Sequence, residues 1–209
     1  MINCGRNPKL ATVRIAFNCF LAFVSPLPLI SAQTPDDVPV IQITKEGSTI
    51  QFAVKASVSI EGTFDKWDAT ITYPSRDVEE GVLDIKIQAD SVNTGSGMKD
   101  NKLKSKDFFN VKEDPYITFH STKFTQTGPS TVAVQGNFTI RGVSKPETLL
   151  FSITGKGTGV GEVKGTMAFD RKEFGMNSGI PFIKIADRVE VGVDLKGKRV
   201  SGPPIVFKE

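Results

Sequence analysis

The segment STIQFAVKASVSIEGTF, residues 48–64, carries the pattern that decides the fold class. Apolar side chains recur at every second position, and polar ones such as Gln51, Lys55 and Glu61 lie between them. Because side chains alternate between the two faces of a strand, this spacing predicts a β-strand with one apolar face. That face would carry Ile50, Phe52, Val54, Val58, Ile60 and Phe64.

The same alternation returns along the rest of the chain, as expected for an antiparallel sheet with one face in water. About eight long, twisted strands in one chain should curl and close, which removes exposed strand edges. We therefore predict an all-β, antiparallel up-and-down barrel of about eight strands, with a two-sheet sandwich as the alternative. Further inward residues are Leu83, Ile85, Ile87, Ile117, Phe119, Val132, Val134, Phe138, Ile140, Leu149, Phe151, Ile153, Val163, Met167, Phe169, Val189, Val191, Val193 and Leu195.

Short polar segments between the strand patterns predict hairpin connections. They are KEGS at 45–48, YPSRDVEEG at 73–81, QTGPS at 126–130 and RGVSKP at 141–146. A fifth segment, GKGTGVG at 155–161, is rich in glycine, and such loops can cradle phosphates. A strand pattern follows it instead of a helix, and it lacks the Lys-Ser/Thr ending of a phosphate-binding loop. We therefore interpret it as a flexible hairpin.

The segment SGMKDNKLKSKDFFN, residues 96–110, is the one good candidate for a helix. Its apolar stripe would contain Met98, Leu103, Phe108 and Phe109, and its water-facing side Lys99, Lys102 and Lys106. The two phenylalanines would then lie over an apolar surface, for which the open end of the barrel is the obvious candidate. We predict one short helix that caps this end. A plug on an ordinary filled core is the alternative.

Residues 1–32 have the layout of a secretory signal peptide. Three basic residues precede the apolar run IAFNCFLAFVSPLPLI, and small residues follow it. Two prolines break the run, which disfavours a retained transmembrane helix. We expect cleavage after Ala32, a flexible N-terminus over 33–39 and a β-barrel domain over 40–209. The product would be periplasmic or secreted, without a stable membrane anchor.

Removal of the signal peptide changes the charge and the cysteine content. Three of the 26 Lys and Arg residues and none of the 23 Asp and Glu residues lie in it, so the remaining chain is formally neutral. A neutral chain gives no electrostatic reason to expect nucleic-acid binding. Both cysteines, Cys4 and Cys19, lie in the signal peptide, so the remaining chain has neither a disulfide nor a thiol nucleophile.

Side chains for catalysis or metal binding are scarce in the remaining chain. His120 is the single histidine, so a metal site would lack a second imidazole. Ser121 follows it on a strand and should point to the opposite face, which disfavours a nucleophile and base pair. The carboxylates lie mainly in turns or beside lysines, where solvated ion pairs are usual. We expect no enzyme activity, no metal and no cofactor, with a carboxylate-dependent hydrolase as a minor alternative.

Phenylalanine is abundant, with 15 residues, and most of them have inward parity. Inward aromatic residues usually form a core. An eight-stranded barrel is nevertheless wide enough either to be filled by side chains or to hold one slim ligand. The residue pattern alone does not distinguish a filled interior from one that holds a ligand.

Six segments, in order, resemble the YceI-like family over nearly the whole chain after the signal peptide. They are GTFDKW at 62–67, IQADSVNTG at 87–95, KLKSKDFF at 102–109, PYITFHSTKF at 115–124, VQGNFTIRGVSKP at 134–146 and DRKEFGMNSG at 170–179. The family is described as periplasmic and polyisoprenoid-binding, with a lipocalin-like barrel, so the resemblance implies that fold, compartment and ligand class. Three places depart from the family pattern. Lys55-Ala56 stands where family members often carry a histidine and aromatic residues, residues 98–103 lack the Arg-Asp-x-His-Leu sequence, and Pro115-Tyr116 reverses the Tyr-Pro order.

The resemblance and the apolar interior lead us to expect a secreted lipid-binding protein that holds an isoprenoid chain or quinone-type tail, since such a ligand needs an apolar tube and no catalytic group. Its contacts would be Phe52, Val54, Ile60, Phe64, Ile85, Phe108, Phe109, Phe119, Phe138, Phe151 and Phe169. A polar or phosphate headgroup would lie near Lys102, Lys104 or Lys106. The alternative is a non-liganded structural or stress-related interaction module with a filled barrel. A homodimer is compatible with either.

Overall fold

The computed structural model describes residues 37–57, 59–179 and 184–209. The predicted signal peptide, both cysteines and Val58 lie outside the described residues. No helix in the described part is long and apolar enough to cross a membrane. The strands are β1 (Val40–Ala56), β2 (Ile60–Phe64), β3 (Trp67–Thr72), β4 (Val82–Gln88), β5 (Val92–Asn93), β6 (Tyr116–Gly128), β7 (Thr131–Ile140), β8 (Val143–Thr154), β9 (Val160–Asp170) and β10 (Ile185–Ser201), and the helix is α1 (Gly97–Lys104).

The sheet closes into a barrel because β1 and β10 pair with each other. From β10 the order is β9, β8, β7, β6, β4, β3 and β1, so eight strand positions surround the interior. Two short strands extend this ring: β2 continues the position of β3 along β1, and β5 pairs with β2 beyond the end of β4. The predicted antiparallel barrel with one short helix is confirmed, and the sandwich alternative is wrong.

Alternating burial along the strands confirms the predicted faces. The inward residues that the structure describes are buried, except that Ile153, Val163 and Val191 are half-buried. The polar residues between them in the first strand are exposed. One face of every long strand therefore points to the barrel axis, and these faces together form one apolar core.

The segment KEGS at 45–48 is not a hairpin, contrary to the prediction. It forms a β-bulge inside β1, where the pairing with β10 shifts across residues 44–49. Gly47 takes a left-handed φ of 72°, and the Ser48 hydroxyl accepts a hydrogen bond from the Lys196 N–H at 2.8 Å. The serine side chain thus satisfies a backbone group that the bulge removes from the ladder, and the strand continues.

The remaining predicted connections do lie between strands. Residues 73–81 join β3 to β4, and the glycine-rich segment at 155–161 lies at the β8–β9 hairpin. The β7–β8 turn is shorter than predicted, because Arg141 and Gly142 alone form it. Both residues have positive φ, which is the geometry of the tightest hairpin turns.

The helix is also shorter than predicted, since α1 ends before Phe108 and Phe109. Met98 is 85% exposed, so its predicted place in an apolar stripe was wrong, and Leu103 is the buried residue of the helix. The Phe109 N–H donates to the Leu103 carbonyl at 2.9 Å, so the turns after the helix fold back onto it. Residues 97–111, the helix with these turns, are called the cap segment below. Since Leu103 is the one buried residue of α1, most of the apolar surface that the cap segment buries lies in the turns, at Phe108 and Phe109.

Two glycines leave room for phenylalanine rings inside the barrel. A Cβ at Gly165 would be 2.3 Å from the Phe151 ring, and a Cβ at Gly136 would be 2.6 Å from the Phe119 ring. Both distances are shorter than real contacts between non-bonded atoms, so each ring occupies space that any other residue would need. Side chains therefore fill the middle layer of the barrel.

We predict that Gly165→Ala lowers the free energy of unfolding by about 1 to 3 kcal/mol, because the new methyl group overpacks the Phe151 ring. Urea denaturation measures this change. Gly179→Ala is the matched control, since a Cβ at Gly179 meets no atom within 4 Å. A Gly165→Ala protein as stable as the parent would contradict the packing described for this layer.

Candidate functional site

An apolar cavity of about 80 Å³ lies at the end of the barrel that the cap segment covers. Side chains of β1, β2, β4, β6, β7, β9 and β10 form its wall, and Leu103, Phe108 and Phe109 of the cap segment also line it. Met176 also lines it, and three cationic residues do so as well: Lys99, Lys102 and Arg171. This arrangement can hold an apolar group and meet an anionic group at its edge.

Two clusters of three aromatic rings lie around this cavity. In the first, the Phe109 ring contacts Phe52 and Phe64, with centroids 6.3 and 5.8 Å apart. The second consists of Phe138, Phe169 and Phe174, with centroids 5.1 to 5.4 Å apart. Tilted and edge-to-face pairs at these distances stabilise beyond the area that they bury. Phe109 therefore anchors the cap segment to the barrel wall.

Arg141 is a second tether of the cap segment. It occupies the β7–β8 turn, and its Nη2 donates to the Lys106 carbonyl at 2.9 Å. Its Nη1 donates to the carbonyl of Gly175, which ends the turn after β9. The planar guanidinium group, with donors in a fixed fork, can serve two acceptors at once. One side chain thus joins three loops at this end of the barrel.

Lys102 carries an exchangeable charge at the cavity. Its Nζ lies 2.7 Å from the Asp107 carboxylate and 5.7 Å from the centre of the Phe108 ring. The hydrogen bond from Lys102 holds the pKa of Asp107 below its usual value. Both side chains of this ion pair are more than one-third exposed, and such pairs contribute little to stability. Lys102 can therefore exchange Asp107 for another anion at small cost.

Arg171 brings a buried positive charge to the wall of the cavity. The residue is 6% exposed, and its Nε donates to the Ala186 carbonyl at 3.1 Å. Its Nη2 donates to the Asp187 carboxylate at 3.1 Å, and its Nη1 donates to two carbonyls of the loop after β9. A buried charge is stable only with such partners. Lys172 first, and Arg171 with it, hold the pKa of Asp187 below its usual value.

Comparison with known protein families identifies this barrel. A family model described as the YceI-like domain matches residues 42–197. The chain belongs to the YceI-like family. A UPF0312 protein of Yersinia pestis (strain Pestoides F) is 33% identical over 120 residues, which cover 56% of this chain and 62% of that protein. A UPF0312 protein of Pseudomonas aeruginosa (strain LESB58) is 32% identical with the same coverage. The chain thus matches less than two-thirds of the length of these relatives.

Solved structures share the YceI-like barrel. BcnA of Burkholderia cenocepacia superposes with a TM-score of 0.67 at 23% identity, covering 74% of this chain and 99% of that one. The YCEI protein of Campylobacter jejuni gives 0.56 at 26% identity, covering 72% and 86%. A polyisoprenoid binding domain from Saccharophagus degradans gives 0.60 at 13% identity, covering 77% and 99%. The first and third of these likenesses show the fold alone.

The YceI-like barrel brings most of the predicted ligand residues to one place. Those that line the cavity are Phe52, Val54, Ile60, Phe64, Phe108, Phe109, Phe138 and Phe169. Ile85 and Phe119 are buried but do not line it, and Phe151 lines a second cavity at the other end. Of the three predicted headgroup lysines, Lys102 lines the cavity and the other two do not.

Sequence reasoning missed Arg171 and Phe174. Arg171 has the same parity as Met167 and Phe169, so its inward direction was readable from the pattern of β9. Phe174 lies in a short 3-10 helix after that strand, where parity gives no direction, yet it is fully buried. The signal for Arg171 was therefore present, whereas none was available for Phe174.

His120 and Ser121 lie on opposite sides of the barrel wall, as predicted. The Ser121 hydroxyl is inside and accepts the Leu83 N–H at 2.8 Å, while His120 pairs with Asp84 on the outer surface. Among residues 37–57, 59–179 and 184–209, no group of three or more His, Cys, Asp and Glu side chains could hold a metal ion. The His120 pair is thus separate from the cavity.

We predict that Arg141→Lys loosens the cap segment, because one ammonium group cannot serve both carbonyls. The loss of a charged donor should lower local stability by about 1 to 3 kcal/mol. Hydrogen exchange at the Phe109 and Val111 amides would become faster. Arg188→Lys is the control, since the Arg188 side chain is 71% exposed. Unchanged exchange in Arg141→Lys would show that Arg141 does not hold the cap segment.

Proposed function

We propose that this YceI-like protein binds a lipid with an isoprenoid or similar apolar chain, which it holds at the capped end of the barrel. The observation that carries the proposal is an apolar cavity closed by Phe108 and Phe109 and edged by cationic side chains. The Saccharophagus degradans domain, which shares the fold, is described as polyisoprenoid binding, and this supports the choice of ligand class. A binding role needs no catalytic group, so we propose a carrier and not an enzyme.

The size of the cavity implies that the cap segment moves when the ligand enters. At about 80 Å³, the cavity is well below the roughly 300 to 1,000 Å³ that small-molecule sites usually provide. Each buried CH₂ group contributes about 0.8 kcal/mol, so one five-carbon isoprene unit contributes about 4 kcal/mol. Full exposure of one phenylalanine costs about 1.5 to 3 kcal/mol. A chain of a few units therefore offsets the displacement of Phe108 and Phe109.

The polar end of the ligand would lie where Lys102 meets the cavity. Lys102 and Lys99 both line it, and the exposed pair of Lys102 with Asp107 is easily exchanged. Arg171 already has protein partners for its guanidinium group, so it would contribute positive potential more than a new ion pair. We therefore propose an anionic or strongly polar headgroup. A quinone head would instead use these donors as hydrogen-bond partners.

A second candidate function is a non-liganded interaction module with a filled barrel. The small cavity volume and the filled middle layer of the barrel favour this candidate. It differs from the carrier in one respect that extraction can measure, namely whether a lipid accompanies the purified protein.

We predict that organic extraction of the purified protein releases about one isoprenoid-type lipid per chain, identified by mass spectrometry. Val189→Phe should lose this lipid and keep its melting temperature, because Val189 lines the cavity and the larger ring fills it. Leu150→Phe is the control and should keep the lipid, since Leu150 is 56% exposed on the outer surface. A parent protein without lipid, together with a destabilised Val189→Phe variant, would support the filled barrel and overturn the carrier.

We also propose that the protein is exported, with residues 1–32 removed as a signal peptide. The charged, apolar and small-residue layout of this segment supports the proposal. Mass spectrometry of the protein from its native host should find Gln33 at the N-terminus, in a fraction outside the inner membrane. Recovery of Met1 in the membrane fraction would contradict export with cleavage.

A further inference from the structure

The ladder between β8 and β9 is shorter than the two strands that form it. All of residues 143–170 are described, and within them the β8–β9 ladder ends at Leu150 opposite Thr166. Beyond this pair β8 continues on β7 as far as Val143, and β9 continues on β10 as far as Asp170. The stretch in which β8 and β9 share no ladder, residues 143–149 and 167–170, is called the seam below.

Pro146 lies in the seam and works against a ladder with β9. The two-residue turn at Arg141 and Gly142 makes Ile140 and Val143 a hydrogen-bonded pair, and such pairs alternate along an antiparallel ladder. The even-numbered residues of β8 therefore direct their N–H groups away from β7 and toward β9. Pro146 is one of them and has no N–H, so it cannot donate to β9. The seam thus has a cause in the sequence.

Aromatic rings fill the interior beside the seam. The ring centres of Phe138 on β7 and Phe169 on β9 are 5.1 Å apart, although β8 lies between these two strands in the sheet. Phe174, from the short 3-10 helix after β9, packs against both rings and is fully buried. Phe138 and Phe169 also line the capped cavity. The seam and the proposed lipid site therefore share these rings.

Two polar contacts join the sides of the seam. Lys145 lies opposite Phe138 on the inward face of β8, and its Nζ is 3.3 Å from the carboxylate of Glu173. The two side chains of this ion pair are 37% and 54% exposed, and such pairs contribute little to stability. The second contact is the hydrogen bond from Arg141 to the Gly175 carbonyl. Both contacts can break at small cost.

Each side of the seam is held more firmly than the two sides are held to each other. On one side, β8 has an uninterrupted ladder with β7. On the other, Arg171 donates to the Ala186 carbonyl at 3.1 Å, and Lys172 lies 2.8 Å from the Asp187 carboxylate. The turn after β9 is therefore fastened to β10. A movement of the β7–β8 hairpin away from this turn leaves both of these units intact.

The seam is accessible from the outer surface of the barrel. A groove on that surface is lined by Thr148 and Leu150 of β8 and by Met167 and Ala168 of β9. Leu150 is 56% exposed, whereas Met167 is a buried residue of the core. At the seam the groove thus reaches from solvent to the core of the barrel.

We propose that the seam is a lateral gate, through which the apolar chain of a lipid passes between β8 and β9 to the capped cavity. This inference rests on the proposed lipid binding and adds the route of entry. Opening breaks the Lys145 ion pair and the Arg141 hydrogen bond and exposes the rings of Phe138 and Phe174. Because Arg141 also holds the cap segment through the Lys106 carbonyl, the gate and the cap segment are released together.

A reversible cross-link across the seam tests the gate. The protein that begins at Gln33 has no cysteine, so Lys145→Cys with Glu173→Cys supplies the two thiols, at positions whose native side chains meet. A bis-maleimide with a disulfide in its spacer joins them, and a reductant cuts the spacer. The probe is a fluorescent analogue of farnesyl phosphate, whose uptake is followed by energy transfer from Trp67, the single tryptophan. We expect uptake to be about tenfold slower in the bridged form than after reduction.

The matched control is the same bridge between Lys45→Cys and Asp68→Cys, which replaces an exposed ion pair between β1 and β3. This bridged control should take up the probe like the parent. Equal uptake by the bridged and reduced forms of the seam variant would overturn the gate and leave lipid binding standing. Slow uptake in both bridged proteins would overturn the specific role of the seam. No uptake by the parent would overturn the proposed function, and the gate with it.

Lys145→Gln tests the gate without a cross-link. It removes the ion pair across the seam, so uptake of the same probe should become about two- to fivefold faster, the range that an exposed ion pair supports. Lys164→Gln is the control, because Lys164 pairs with Glu162 and Asp194 in the part of β9 that has its full ladder. Unchanged uptake in Lys145→Gln would overturn the role of this ion pair in closing the gate.

Discussion

The pairing of β1 with β10 is the constraint on which the rest of the structure depends. It runs from Val40 opposite Ser201 to Ala56 opposite Ile185, so it joins the two ends of the folded domain along 17-residue strands. Without this ladder the sheet would have two long open edges, which invite aggregation. With it, every inward side chain faces a closed interior and every connection lies at one of two mouths. The bulge at Gly47 lets β1 bend while it keeps this pairing.

Closure of the sheet encloses the interior of the barrel, and the inward side chains determine which parts of that interior are filled. Phe119 lies against Gly136 and Phe151 lies against Gly165, so phenylalanine rings fill the space that side chains at these two glycines would need. The space that remains is at the two mouths, and the chain closes them by different means. The cap segment covers one through aromatic packing and Arg141, whereas residues 204–208 border the other and are held there by backbone and side-chain hydrogen bonds.

The sequence predicted the barrel and its inward faces well because parity depends only on local alternation. The prediction was wrong where one local pattern is compatible with two structures. Polar residues with a glycine at 45–48 indicate a turn, yet the Ser48 side chain replaces the missing ladder bond and makes a bulge instead. The inward direction of Arg171 was readable from the parity of β9, but its partners were not, because they include the Ala186 carbonyl and the Asp187 carboxylate of another strand. The sequence likewise could not show which of the three predicted headgroup lysines lines the cavity.

Several residues in the segments that resemble the YceI-like family stabilise the capped end of the barrel. Gly62 leaves room for the Phe52 ring, which a Cβ would approach to 2.8 Å, and Arg141 joins the cap segment to the turn after β9. Arg171 in turn holds the loop that follows β9 through its carbonyls. Because these tethers share loops, the release of one weakens the others, and the mouth should open as a unit more than residue by residue. Such shared tethers suit the proposed lipid binding, in which the cap segment has to move when the ligand enters.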